Sequence, residues 1–296
     1  MISLNFAAID IGSNAVRLLI SEIIEKQDTI EFKKKLFIRV PLRLGMNAFV
    51  QQSISDEKIN DLLKLMVAFK NLIEVYRPKD LMICATAAMR EATNGKEIVK
   101  AIKAETGLKV EIIEGKKEAE IIYANHVAET LNNNGTYLYI DVGGGSTELT
   151  VFSEGRLMGS HSFSIGTIRI LFERDTQERW DELKNWIKEN VQGKKIIGIG
   201  TGGNINKISR LIGKKETKSI SYEEIENTHE YLSSLTIDEL IHDVGLNEDR
   251  ADVIVPAGQI FLTIMKWANI EEIYVPRIGL ADGMVHYLYE KHQAGK

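Results

Sequence analysis

Asp141-Val142-Gly143-Gly144-Gly145-Ser146-Thr147-Glu148-Leu149 sits between two apolar runs, Tyr137 to Val142 and Thr147 to Phe152. Two hydrophobic runs around a short turn of glycine and small polar residues predict an antiparallel hairpin. The amino terminus already carries the same pattern. There the run from Leu4 ends on Asp10-Ile11, Gly12-Ser13-Asn14 makes the turn, and Ala15 to Ile24 is the returning strand. Asp10-Ile11-Gly12-Ser13 thus matches Asp141-Val142-Gly143-Gly144. A repeat at half-chain separation predicts two related domains facing a common cleft, a frequent setting for a ligand.

Between the two hairpins the pattern alternates. Apolar positions from Ile59 to Ile73 recur at helical spacing behind Ser55-Asp56-Glu57, which places a cap and two acids at a helix start. Pro78 closes that segment, and Leu81 to Ala85 reads as a buried strand. A helix is expected from Ala87, a break at Asn94-Gly95, a helix ending at Gly107, a strand from Val110 to Ile113 and a helix from Glu118 to Thr130. After the second hairpin, helix signals cover 175–190, 222–232, 236–243 and 249–268. The strand Ile196 to Ile199 leads into Gly200-Thr201-Gly202-Gly203, and Glu272 to Val275 precedes Gly279 and a last helix. Alternating strands and helices imply α/β layers. The division falls in the loop region before Gly135, giving domains 1–125 and 126–296, with the last helix expected to be able to pack back on the first.

Composition agrees with an ordinary globular chain. At 296 residues, of which 44% are hydrophobic and 27% charged, it is long enough for two cores. Its one cysteine, Cys84, can form no internal disulfide, and its apolar strand setting predicts a buried thiol. No stretch reaches the ~20 apolar residues that span a bilayer. The first residues lack a basic signal-peptide region, so the expected location is cytoplasmic, away from membranes. A net charge of −5 argues against a general nucleic-acid binder, though a local patch can still attract a polyanion. Lys33-Lys34-Lys35, Lys116-Lys117, Lys194-Lys195 and Lys214-Lys215 are such patches, more simply read as solvated surface.

Chemistry is expected at three glycine turns that each follow a buried strand: 12–14, 143–146 and 200–203. Glycine lets the backbone approach a phosphate, and successive N–H groups make a concave anion site. None of the turns has the lysine of a P-loop, and none fits the dinucleotide fingerprint. Asp10 and Asp141 end strands immediately before two of them. A carboxylate there either caps the turn or holds a hydrated Mg²⁺ beside substrate phosphates. Their pairing across the repeat favours the metal.

Six segments in order resemble the exopolyphosphatase / guanosine pentaphosphate phosphatase family. They are Asp10 to Arg17, Ala85 to Ala92, Glu111 to Ala119, Asp141 to Leu149, Gly200 to Asn204 and Arg250 to Gly258, and the likeness extends from residue 6 to about residue 290. It implies two ribonuclease H-like domains of the sugar-kinase, heat-shock-protein and actin superfold around a central cleft. It also implies hydrolysis of a terminal phosphoanhydride, with Mg²⁺ or Mn²⁺ as cofactor. The substrate it implies is inorganic polyphosphate or, alternatively, guanosine pentaphosphate; a homodimer belongs to the same picture. The implied catalytic residues are Glu118, which orients or deprotonates the attacking water, and Glu148, which holds that water or the metal. Asp10, Asp141 and Glu148 are the implied metal ligands. Gly12, Ser13, Asn14, Arg90, Gly143, Gly144, Gly145, Ser146, Gly202 and Gly203 are the implied phosphate-binding residues.

The chain departs from the family pattern in places. Lys117-Glu118 stands where the family has two acids, Glu120 where it has an arginine, and Gly279-Leu280-Ala281-Asp282-Gly283 where it tends to read Gly-Leu-Arg-Glu-Gly. Lost arginines bear on the substrate more than on the fold. The His-Asp helical region of long members has no counterpart here, and His242-Asp243 reads as structural. A kinase or a non-enzymatic nucleotide sensor of the same superfold remains open as an alternative, because one fold hosts many reactions.

Overall fold

Ile2–Ile11 (β1) is buried over its last six residues and pairs antiparallel with Val16–Glu25 (β2) in the register Asp10↔Arg17 and Ile11↔Val16. The computed structural model describes residues 2–26, 29–125, 135–154, 156–191, 196–213, 219–276 and 278–295. The loop Asn132-Asn133-Asn134, the expected end of a helix at Thr130, and the lysine pairs 194–195 and 214–215 lie outside the described residues. Two compact units divide the chain: residues 1–125 with 280–296, and residues 126–279.

The first unit adds Ile30–Val40 (β3), Leu44–Gln51 (α1), Asp56–Tyr76 (α2), Asp80–Ala85 (β4), Ala87–Glu91 (α3), Gly95–Thr106 (α4), Glu111–Ile112 (β5) and Gly115–Tyr123 (α5). Among the described residues its sheet has the order β3-β2-β1-β4-β5, with β1, β4 and β5 parallel. In α2 the buried side chains are Leu62, Met66 and Phe69, the i, i+4, i+7 spacing of one helix face. Ser55 caps it by accepting from the Lys58 N–H, and Gly107 ends α4 in the left-handed conformation. Sequence patterning gave no sign of β3, because its Lys33-Lys34-Lys35 run reads as surface. It is an edge strand, where lysines discourage further pairing. Two of these lysines are held within the unit, Lys34 by Asp282 at 2.5 Å and Lys35 by Glu22 at 3.0 Å.

The second unit repeats the topology. Its strands are Thr136–Val142 (β6), Thr147–Ser153 (β7), Arg156–Phe163 (β8), Ile196–Thr201 (β9), Ser219–Ser221 (β10) and Glu272–Tyr274 (β11). Their order, β8-β7-β6-β9-β11, is that of the first sheet, with β10 added antiparallel at the end. The two units are therefore related α/β domains, as the hairpin repeat implied, with the ribonuclease H-like topology that the family resemblance implied. The helices are Thr167–Leu171 (α6), Gln177–Asn190 (α7), Gly203–Leu211 (α8), Tyr222–Ser233 (α9), Ile237–His242 (α10), Glu248–Ala251 (α11) and Ile254–Trp267 (α12). Capping boxes at Ser221/Glu224 and Thr236/Glu239 start α9 and α10. His242 ends α10 and Asp243 is its C-cap, a structural role for that pair. The expected helix 249–268 is broken after Ala251, and α12 then runs through the core with Ile254, Ile260, Phe261, Ile264 and Met265 buried.

The remaining helix, Leu280–Ala294 (α13), belongs to the first unit, where Tyr289 and Gln293 both donate to Glu25 Oε1 and His286 stacks on Phe32 at 3.7 Å.

In the second unit α9 crosses α12 at Gly258, where an added Cβ would lie 2.8 Å from His229 Cδ2. Burial holds the His229 imidazole below its ordinary value of 6.5. A depressed histidine keeps its full contribution to stability above the unfolded value and loses it as pH falls through and below that value, because the unfolded chain binds the extra proton. Denaturation between pH 5 and 8 should show stability declining below about pH 6.5. His229→Gln should remove part of that decline, and an unchanged slope would show that another group causes it.

Candidate active site

Each hairpin turn is built in the same way. Gly12 N–H donates to the Ala15 carbonyl at 3.2 Å, and Gly143 N–H donates to the Ser146 carbonyl at 2.9 Å. The first glycine N–H of each turn is thus used within the turn. The carbonyls are held from behind by the segment that follows the third strand. In the first unit the Ser13 carbonyl accepts from Gly45 N–H and the Asn14 carbonyl from Arg43 N–H. In the second, the Gly143 and Gly144 carbonyls accept from the N–H groups of Thr167 and Ile168, and Arg169 Nε donates to the Gly145 carbonyl at 2.6 Å. The carbonyl edge of the second turn is thus committed within the unit.

Sequence reasoning missed the residues that make this geometry. Arg169 is 5% exposed. An added Cβ on Gly166 would lie 2.5 Å from the Gly144 carbonyl oxygen. The signal available was Gly166 followed three residues later by a lone arginine, and it becomes readable only once that segment is known to pack on the turn.

The aspartates before the two turns differ in their surroundings. Asp10 is 4% exposed, and its Oδ2 accepts from Arg17 Nη1 at 2.6 Å. Its row across the sheet reads Arg39, Arg17, Asp10, Cys84, Glu111 in register. In the equivalent row of the second unit Asp141 faces Glu148, which is 4% exposed, and Ser162 Oγ donates to Glu148 Oε1 at 2.8 Å. Asp10 is therefore paired with an arginine, whereas the residue opposite Asp141 is an acid.

The third turn comes to the same place in the second unit. Thr201 is paired with Asp141, and an added Cβ on Gly202 would lie 2.6 Å from Asp141 Oδ1. Arg250 on α11 lies over Gly203, donating through Nη1 to its carbonyl at 2.5 Å. Burial, then the charges of Arg250 and Arg210, push the Lys207 ammonium on α8 below its ordinary range. Gly202 adopts φ +94°, a conformation that L side chains rarely hold. Gly202→Ala should cost about 1–3 kcal/mol of backbone strain and also displace Asp141. Chemical denaturation reads the first effect; a variant as stable as the parent would contradict it.

In the first unit Arg90 on α3 donates through Nη1 to the Ile113 carbonyl at 2.7 Å, and its Nε lies 3.9 Å from Glu114. Arg90 is therefore tied to the segment that opens α5. Glu118 lies in the first turn of that helix and is 8% exposed. Its neighbour Glu120 is exposed and lies 3.7 Å from Lys117. The Glu120 and Asp282 departures from the family pattern thus sit in local ion pairs with Lys117 and Lys34. Cys84 is fully buried. Burial, together with the carboxylates of Glu111, Asp10 and Glu118, pushes its thiol up to about 12, so it is no nucleophile.

Among the described residues no helix is long and apolar enough to cross a membrane, and no group of three or more His, Cys, Asp or Glu gathers as a metal site.

The chain resembles several known proteins. It is 27% identical to the bifunctional 3-dehydroquinate synthase/phosphatase of Fusobacterium nucleatum, over 91% of this chain but 44% of that protein. It is 25% identical to a Haemophilus influenzae protein provisionally named an exopolyphosphatase, over 97% of this chain and 92% of that one. The chain thus spans less than half of the first relative and nearly all of the second. A crystal structure of the Aquifex aeolicus member of the Ppx/GppA family shares the fold, with TM-score 0.77, 24% identity and coverage of 98% and 99% of the two chains. The model of the Ppx/GppA phosphatase family matches residues 24–292, and to that family the chain belongs.

Proposed function

We propose that this protein is a phosphoanhydride hydrolase of the exopolyphosphatase type, releasing the terminal phosphate of inorganic polyphosphate. The observation that carries this reading is the acid pair Asp141 and Glu148, set in register beside a glycine turn whose carbonyls are held by the segment that follows β8. Two adjacent carboxylates are a donor set suited to a hydrated divalent cation. An anion-binding turn next to a cation-binding pair matches a metal-bound phosphate.

In this reading the N–H groups of Gly144 and Gly145 bind the terminal phosphate, with Ser146, Gly202 and Gly203 framing it. Ser13, Asn14 and Arg90 are the anion-binding groups of the first unit, and Arg17 is held beside its turn by Asp10. Glu118 accepts a proton from the attacking water through its carboxylate. Phosphoryl transfer passes through a loose transition state, so positioning and charge carry most of the catalysis.

The second unit's donor set fits Mg²⁺ or Mn²⁺, which takes one or two protein carboxylates and completes its shell with water and phosphate oxygens. Asp141 and Glu148 would hold the ion. Asp10, expected to be a further ligand, fits less well, because Arg17 already neutralises it. When bound, the metal offsets the negative charge of the phosphate oxygens.

Hydrolysis of guanosine pentaphosphate is the second reading, since the turns recognise the phosphoanhydride and not the base. The relative of matching length favours polyphosphate. A cytoplasmic location, expected from the sequence, and a homodimer, implied by the family resemblance, accompany the proposal.

The test is phosphate release measured side by side on long polyphosphate, tripolyphosphate, guanosine pentaphosphate and ATP, with and without Mg²⁺. Long polyphosphate should be the best substrate, and activity should need the metal. Release mainly from guanosine pentaphosphate would establish the second reading. ATP turnover that rises with an added hydroxyl acceptor would point to a kinase.

A further inference from the structure

Four polar side chains stand in one row across the second sheet. Ser162 on β8 is opposite Glu148 on β7, Glu148 is opposite Asp141 on β6, and Asp141 is beside Thr201 on β9. Directly paired residues place their side chains on the same sheet face. The two outer hydroxyls have no role in any step described so far. Ser162 donates to one oxygen of Glu148, which fixes the plane of a buried carboxylate. Thr201 is 1% exposed, and its Oγ1 has no hydrogen-bond partner. A buried hydroxyl in that state carries a desolvation penalty that a methyl group would not. Ile199, two residues earlier on the same face of β9, is aliphatic and fully buried, so packing on this face does not require a threonine. The residue after it is glycine, and the Asp141 carboxylate lies against that glycine where a side chain would otherwise stand.

We infer that Ser162 and Thr201 are positioning residues of a divalent-cation site whose direct ligands are Asp141 and Glu148. The inference rests on the metal reading of that pair. Ser162 orients the Glu148 carboxylate. Thr201 Oγ1 accepts a hydrogen bond from a water ligand of the hydrated cation, which supplies its missing partner. Mg²⁺ and ions like it keep several waters, and those waters need acceptors around them. Partners in this outer layer typically change metal affinity by 10–100-fold when removed.

The experiment is Mn²⁺ binding by electron paramagnetic resonance on the full chain without phosphate, together with melting temperatures with and without Mn²⁺. Ser162→Ala and Thr201→Val should each bind Mn²⁺ about tenfold more weakly, or worse, while Ser162→Thr and Thr201→Ser stay within about threefold of the parent. Without metal, Thr201→Val should melt no lower than the parent, because it removes an unpartnered hydroxyl, and its gain from Mn²⁺ should shrink. A purely structural threonine would give the reverse, and a Thr201→Val protein that melts lower without metal overturns its assignment. Should valine prevent folding, Thr201→Ala carries the same comparison. If Ser162→Ala and Thr201→Val bind like the parent while Asp141→Asn does not, the cation site stands and the positioning roles fall. If Asp141→Asn and Glu148→Gln also bind like the parent, or the parent binds no Mn²⁺, the cation site fails and takes this inference with it. Phosphate release then tests the hydrolase reading separately.

Discussion

Glu118→Gln should lower kcat by about 10²–10⁴ and leave KM little changed. That fall corresponds to roughly 3–5 kcal/mol of barrier. Glutamine keeps the size and hydrogen-bonding reach of the side chain but removes the proton acceptor, so the lost interaction belongs to the transition state. The surroundings sharpen the test. Glu118 is buried in the first turn of α5, whereas Glu114 is exposed beside Arg90 and Glu120 is exposed beside Lys117. Exposed ion pairs contribute about 0–1 kcal/mol, so Glu120→Gln should leave kcat nearly unchanged. Glu114→Gln should act mainly on KM, by loosening Arg90. A near-normal kcat in Glu118→Gln with a collapsed kcat in Glu120→Gln would move the base to the other acid.

Asp141→Asn should cut phosphate release by about 10²–10³ at ordinary Mg²⁺, since charge stabilisation by a bound metal is worth several kcal/mol. EDTA should reduce the parent to a similar level and the variant little further. Asp10→Asn supplies the contrast. Its partner is Arg17, so the expected effect is a loss of about 1–3 kcal/mol in stability of the first unit, with the metal dependence of the remaining activity preserved. Full activity of the parent in metal-free buffer would remove the assignment of Asp141 and Glu148. Equal loss of metal dependence in both variants would restore Asp10 as a ligand.

The hairpins were legible because apolar strands and glycine turns are local signals. Asp10-Ile11-Gly12 and Asp141-Val142-Gly143 therefore announced the repeat, and with it two related α/β units. The order of the six motifs carried the family for the same reason. Edge strands were harder to read: β3, with its three lysines, and β8, whose Leu157 and Met158 are exposed, lack the buried face that makes a strand recognisable.

The environment of each site residue could not be read along the chain. Asp10 and Asp141 occupy the same place in their turns. They part company because the residue opposite is Arg17 in one sheet and Glu148 in the other, and strand register sets that pairing. The same holds for Gly166, Arg169, Ser162 and Thr201. Each is unremarkable among its sequence neighbours and takes its meaning from a residue at least 14 positions away, as Ser162 does from Glu148. Backbone propensity and periodicity act over a few residues, so composition and pattern define the elements and the repeat. Charge balance and hydrogen-bond partners at the site arise only when distant strands come into register.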